Sequence, residues 1–514
     1  MRREWIIILI ILAIACFSRL WHLDLIPPSL SGGEAVNAND ATKILDAGKY
    51  NFASPETSGQ NGLYTNFVAG SFYVFGKSAW AMRLVSAIAG ILTVWGLFLL
   101  TKIIFGRTIG FLASFMLATS FWHINFSRIG FGQILEPLLL VFALYFLWHG
   151  LRNHHVVPFF ISGIFWGLGF YTHVSFRIMP ILIVILIWAY LHYAKKHNEW
   201  SKYQNIKQSI KIGATVMAIT AFTAAFPIIW NISAGSADFA GHMKTELIFG
   251  SENLLSEFLN NIGKTLTSFN FKGDQSWLHN FSGSPLLLWP IGAFFVVGLI
   301  RSIFKCIRMK RQHGHWSTAQ TLMLSWFMLG MLPSFFVNDA PNSLWLLIVA
   351  PVVYIFAAEG MWWFYELLSR EYEYRDSIHK VRHMHRHLSE SSIVAGFAII
   401  VLLSAIAFVN SDKYLNKWAN HTEVYHAFNQ TELEIAQKIN RISPDVKKYI
   451  LVNSEDEIIV DGLPLPAQTV MFFSDTATEE KQKTKNVFYL TEKEFTETKI
   501  ERDALIIPLR RIVE

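Results

Sequence analysis

About eleven segments of this chain are apolar over the roughly 17 to 25 residues that a helix needs to cross a bilayer, which is more than any soluble core could absorb. They lie near 5–21, 79–102, 107–124, 131–151, 156–174, 177–194, 209–232, 284–304, 318–337, 344–367 and 392–410. In hydrocarbon each backbone N–H and C=O must be paired within its own segment, so each run reads as a helix. Composition agrees. With 52% hydrophobic and 16% charged residues in 514, the chain is too apolar for a single soluble domain. The expected fold class is mainly α: a polytopic membrane protein.

The basic residues orient the spans. Arg2 and Arg3 precede the first, and Lys102, Arg107, Arg152, Lys195, Lys196, Lys202, Lys207 and Lys211 fall in alternate connections. Arg301, Lys305, Arg308, Lys310 and Arg311 continue the alternation, and Arg370, Arg375, Lys380, Arg382 and Arg386 complete it. These connections are expected in the cytoplasm, with the N-terminus inside and the chain from about Lys413 outside. The net charge of +6 is then topological, and no nucleic-acid partner is expected. The first apolar run lacks a small-residue cleavage site and belongs to the series, so it reads as a retained span rather than a removed signal.

Residues 413–514 differ in character. Glu432 to Ile442 is helix-like, while 448–453, 457–460, 469–473, 487–490 and 504–507 are short β-rich runs between Pro, Gly and charged turns. They predict a small extracytoplasmic α/β domain after a membrane domain spanning 1–412. Cys16 falls in the first span and Cys306 in a cytoplasmic connection, so no disulfide is expected. His379, His383, His385 and His387 lie among arginines and read as a solvated, headgroup-facing loop rather than a metal site. Neither a metal nor another cofactor is expected.

Chemistry is expected on the outer connections, 22–78 and 235–283. In the first, Ser31 and Glu34 have capping-box spacing ahead of a helix-compatible run to Leu45. Glu34 is thus either a helix cap or a carboxylate held just outside the first span as a catalytic base. Tyr64 to Phe75 reads as a second, surface-lying helix. In the other connection, Leu247, Ile248, Leu254, Leu255, Phe258, Leu259, Ile262 and Leu266 predict one or two interfacial helices, with Lys244 among their polar residues. Arg128 and Arg177 are basic residues on the outer side, against the orientation rule. Near Arg177 lie Tyr171 and His173. Either cation could meet the phosphate of a lipid-linked molecule or snorkel to headgroups.

Several short patterns taken in order resemble the GT-C membrane glycosyltransferases, in the branch of bacterial protein O-mannosyltransferase and aminoarabinose-transferase-like enzymes. They are Ala81-Met82-Arg83-Leu84-Val85-Ser86-Ala87, Phe105-Gly106-Arg107, the stretch Phe121 to Phe131, Tyr171-Thr172-His173-Val174-Ser175-Phe176-Arg177, and Gly273-Asp274 with His279-Asn280 and Pro285. The likeness covers about 1–410. It implies transfer of a sugar from a polyprenyl-phosphate carrier to a protein or glycan acceptor at the outer membrane face, with membrane lipids as the other partner. It also implies an acidic first-loop base, here Glu34, and donor contacts at Arg177, Arg128, His173, Lys244 and Asp274. The sequence departs from the pattern at Gly33, where an Asp usually precedes the Glu, and at Gln60, Asn61, Gly132, Leu278 and Trp345, where charged residues are expected. Those departures keep open the alternative of a non-catalytic relative that binds a lipid-linked sugar or a partner protein. The absence of an internal repeat or paired broken spans argues against a transporter.

Overall fold

The computed structural model describes residues 2–48, 62–233, 247–251, 253–379, 390–452, 459–460, 462–498, 500–501 and 503–509. Lys244, Gln60, Asn61 and the histidines at 383, 385 and 387 lie outside them. Eight helices among the described residues are long and apolar enough to cross a membrane, and Arg107–Ala118 and Val156–Gly169 are shorter apolar helices. With Arg2–Leu20, they occupy the eleven expected positions of a multi-pass membrane protein.

Spans are packed by contact between backbones. An ideal Cβ on Gly298 would stand 1.8 Å from the Phe356 carbonyl oxygen, and one on Gly360 would stand 2.1 Å from that of Phe294. Helices Trp289–His313 and Ala350–His379 therefore cross where neither has a side chain, which is how spans gain dispersion energy when lipid is as apolar as they are. Cys306 is buried inside the first of these helices rather than in a connection. The apolar run ends near 304, but the helix continues through its basic turn to His313.

One end of the bundle carries the long connections. Helix Gly32–Ala47 starts at the Ser31 cap, with both hydrogen bonds of the capping box formed, and Gly62–Phe75 follows. Helix Leu254–Ser268 lies at the same end and is inverted relative to a soluble helix. It buries Asn261, Thr265 and Ser268, while Leu255 and Leu259 are exposed. Asn261 donates to the carbonyls of Phe335 and Val337 at 3.2 and 2.8 Å, so its amide is satisfied inside while the apolar face is left for lipid.

The last hundred residues carry a hydrophobic cluster of their own, including Ile439, Ile450, Val452, Val470, Met471 and Val487. Strand Lys448–Val452 is central in a three-stranded parallel sheet, between Val487–Thr491 and Leu505–Leu509. The run Thr469–Phe473 is not a strand. It belongs to helix Leu465–Ser474, which opens with Pro466 in its first turn, where a missing N–H costs nothing.

That helix docks on the loop-rich end. Leu465 sits 2.7 Å from where a Gly32 Cβ would be, so only glycine admits it. Asn39 donates to the Gln468 backbone and side-chain oxygens at 3.0 and 2.9 Å, and Thr469 donates to the Leu30 carbonyl at 3.2 Å. Lys77 pairs with Asp475 and Lys481 with Asp46, both at 2.7 Å.

Candidate active site

The Glu34 carboxylate is completely buried, and every lone-pair direction is used. Its Oε2 accepts from Ser31 N–H at 3.0 Å and Ser31 Oγ at 3.2 Å. Its Oε1 accepts from Gly130 N–H at 2.8 Å and Arg83 Nε at 3.2 Å, while Arg83 Nη2 reaches Oε2 at 3.4 Å. The equally buried Arg83 guanidinium also donates to the carbonyls of Pro27, at 2.8 Å, and Ser29. One ion pair thus fastens the first connection, the start of helix Gly32–Ala47, the second-span helix Ala79–Phe105 and the turn at Gly130. Arg83 carries the pairing that the sequence reading left unassigned. Its position within the resembling motif was the available signal.

Arg128 is spent similarly. It is fully buried and donates to the carbonyls of Ser18, His22 and Ile26 at 3.1, 3.1 and 2.9 Å, capping the end of the first helix and its turn. Its guanidinium stacks over Tyr414 at 5.5 Å. Neither Glu34 nor Arg128 can turn to a substrate without breaking these bonds.

At Gly33 the absent side chain has a specific replacement. An ideal Cβ there would lie 2.9 Å from Phe131 Cε1 and 3.1 Å from Cζ, so the ring fills the volume of an acidic residue. His279 stands against the same ring, its centroid 6.2 Å from that of Phe131 and 5.7 Å from that of Phe126.

Asp274 and His279 lie in the turn between Phe271 and Leu286. Asp274 Oδ2 accepts from Ser343 N–H and Oγ, both at 2.8 Å, and Oδ1 accepts from Ser276 N–H at 2.8 Å. His279 Nδ1 is 3.6 Å from Oδ2. Burial alone would raise the Asp274 pKa, but His279 and the two backbone donors outweigh it and hold the carboxyl below its ordinary value. It is therefore ionised at neutral pH.

The Ser343–Trp345 turn links this pair to a second histidine. Trp345 meets His173 edge to face, with ring centroids 4.2 Å apart. His173 Nδ1 is 2.8 Å from Ser175 Oγ, which donates to Glu136 Oε1 at 2.6 Å. Burial and then the Arg177 charge lower the His173 pKa to about 3, so this imidazole is neutral and a weak base. Arg177 itself lies in the 3-10 turn Val174–Ile178. The structure therefore brings His173, Arg177 and Asp274 to one end of the bundle, along with the previously unassigned Glu136, Ser175, His279 and Ser343. Glu34 and Arg128 are built into the adjoining wall. No group of three or more metal-ligating residues occurs among the described residues.

Superposition on solved structures decides the architecture. ArnT from Cupriavidus metallidurans, solved bound to undecaprenyl phosphate, matches with a TM-score of 0.52 over 95% of this chain and 90% of that one, at 13% identity. The fold is that of the GT-C glycosyltransferases. The same GT-C arrangement relates the chain to the Archaeoglobus fulgidus oligosaccharyltransferase in its apo form, with a TM-score of 0.57, 13% identity and coverage of 92% of this chain and 64% of that one. The archaeal enzyme AglB, solved with an inhibitory peptide and a dolichol-phosphate, gives 0.56 at 11% identity over 92% and 63%. Residues 63–226 match the family dolichyl-phosphate-mannose-protein mannosyltransferase. Among curated proteins, YkcB of Bacillus subtilis (strain 168), a proposed mannosyltransferase, is 26% identical over 187 residues. That match spans 35% of this chain and 25% of YkcB.

Proposed function

We propose that the chain is a membrane glycosyltransferase that moves a sugar from a polyprenyl-phosphate donor to an acceptor on the outer face of the cell membrane. The observation that carries this reading is the GT-C fold shared across nearly the whole chain with an enzyme solved on undecaprenyl phosphate, with His173, Arg177, Asp274 and His279 gathered at the loop-rich end. In this reading Arg177 meets the lipid phosphate, because a cation at a membrane boundary is best matched by an anionic group. Glu34, Arg83 and Arg128 hold the wall against which the donor rests. The membrane domain extends to about residue 412, and the remainder packs over the first connection from outside.

The test is a screen of polyprenyl-phosphate sugars on purified protein in lipid, following release of the carrier phosphate. Wild type is expected to release it with at least one donor, and Arg177→Leu is expected to weaken donor binding by about tenfold or more, equivalent to about 1.4 kcal/mol. Unchanged affinity in that variant would reduce Arg177 to a headgroup anchor, and no release with any donor would remove the transferase reading.

Orientation has its own test. The Lys483 side chain is 74% exposed, and Lys264 and Lys202 are exposed as well. Cysteines at 483 and 264 are expected to react with a membrane-impermeant maleimide in intact cells, and one at 202 only after permeabilisation. The reverse pattern would invert the assignment.

A further inference from the structure

The resemblance implies a carboxylate base on the first connection, yet at Gly33 there is no side chain and Phe131 occupies the space. At Glu34 the carboxylate is enclosed by five donors. A transferase built on this chain therefore needs another proton acceptor at the same end of the bundle. His173 is a poor one, since its low pKa leaves little affinity for a proton.

We propose that His279 is the catalytic base and Asp274 its positioning residue. The inference rests on the transferase reading above. Gly33 and His279 both lie against the Phe131 ring, which puts the pair next to the place of a first-loop acid. Its backbone is fixed on both sides: His279 N–H donates to the Ser276 carbonyl at 3.2 Å, and its carbonyl accepts from Ser343 Oγ at 3.4 Å. The neighbouring Asn280 donates to the carbonyls of Asp274 and Ser284 at 3.0 and 2.7 Å, closing the turn that brings residue 279 back to 274. Nδ1 is buried with the Asp274 carboxylate as its nearest acceptor. The side chain as a whole retains 14% exposure. The 3.6 Å separation exceeds a hydrogen bond, as is common for catalytic pairs before substrate binds and tightens them.

Each group has a defined part in the step. The acceptor hydroxyl oxygen attacks the anomeric carbon as the bond from that carbon to the phosphate oxygen breaks, and the electron pair leaves with the carrier phosphate. The hydroxyl proton passes to His279 Nε2. The imidazolium so formed is stabilised through Nδ1–H by the Asp274 carboxylate, as an acid beneath a histidine does in hydrolytic triads, and it returns the proton to water once product has left.

The experiment compares wild type, His279→Gln and His279→Gly in lipid with the donor found active in the screen. It also measures binding of undecaprenyl phosphate to all three. Turnover in His279→Gln is expected to fall by about 10² to 10⁴-fold, with undecaprenyl phosphate binding unchanged. Added imidazole is expected to restore part of the turnover of His279→Gly and none of that of His279→Gln, whose side chain still fills the site. Turnover of His279→Gln within about threefold of wild type would overturn the dyad and leave the transferase reading standing. Loss of turnover accompanied by loss of phosphate binding, with no rescue, would likewise overturn it and make residue 279 a structural element. Failure of wild type to release carrier phosphate from any donor would overturn both.

Discussion

Glu34→Gln is expected to destabilise the folded chain by about 3–5 kcal/mol, because it leaves the fully buried Arg83 guanidinium without its counter-charge. A helix cap alone would cost about 1 kcal/mol. The ion pair makes the difference, since both partners are wholly removed from solvent and the carboxylate also serves Ser31 and Gly130. Thermal unfolding in detergent, read by the loss of the monodisperse peak on heating, measures this. An unchanged midpoint combined with lost turnover would return the proton-accepting role to Glu34. The double variant Glu34→Gln with Arg83→Met should recover part of the loss, because it removes the stranded cation along with the carboxylate.

A comparable loss is expected from Gly298→Val or Gly360→Val. At each position the added Cβ runs into a backbone oxygen of the facing span, and a backbone cannot rotate away as a side-chain tip can. Overpacking usually costs about 1–3 kcal/mol, and here the shift must separate two long helices, so the upper end or beyond applies. Little folded protein should be recovered from membranes, and Gly298→Ala should already lower the unfolding midpoint. A midpoint equal to wild type for both valine variants would mean that these spans are not in backbone contact.

The spans were legible in the sequence because hydrocarbon leaves a chain few options. A sustained apolar run can hardly be anything but a helix, and the alternating lysines and arginines divide the runs. Helix Gly32–Ala47 was legible too, since Ser31 and Glu34 announce its start at fixed spacing. What the spacing could not show was the other side of the carboxylate. Arg83 lies 49 positions away and Gly130 lies 96 away, so the cap and catalytic readings of Glu34 were indistinguishable along the chain. Arg128 was conspicuous as a cation on a connection expected outside, but its bonds go to carbonyls, which every residue possesses and none advertises. Asp274 and His279 sat in a recognisable pattern. Their pairing depends on a turn closed by Asn280, a geometry with no periodic signature. The run Thr469–Phe473 misled for the opposite reason. Its threonine, valine and aromatic residues favour a strand locally, whereas burial against helix Gly32–Ala47 and the sheet rewards a helix with two apolar faces.

The docking of helix Leu465–Ser474 onto helix Gly32–Ala47 also fixes an order of events during biogenesis. Asn39 and Gln468 are 429 positions apart, and helix Glu390–Asp412, long and apolar enough to cross a membrane, lies between them. A nascent chain emerging N-terminus first therefore exposes the receiving surface of its first loop for most of translation, and acquires the cover only once residues 465–474 have been made. Chains that stall or are clipped before residue 465 would carry an uncovered Gly32 face and an unanswered Asn39.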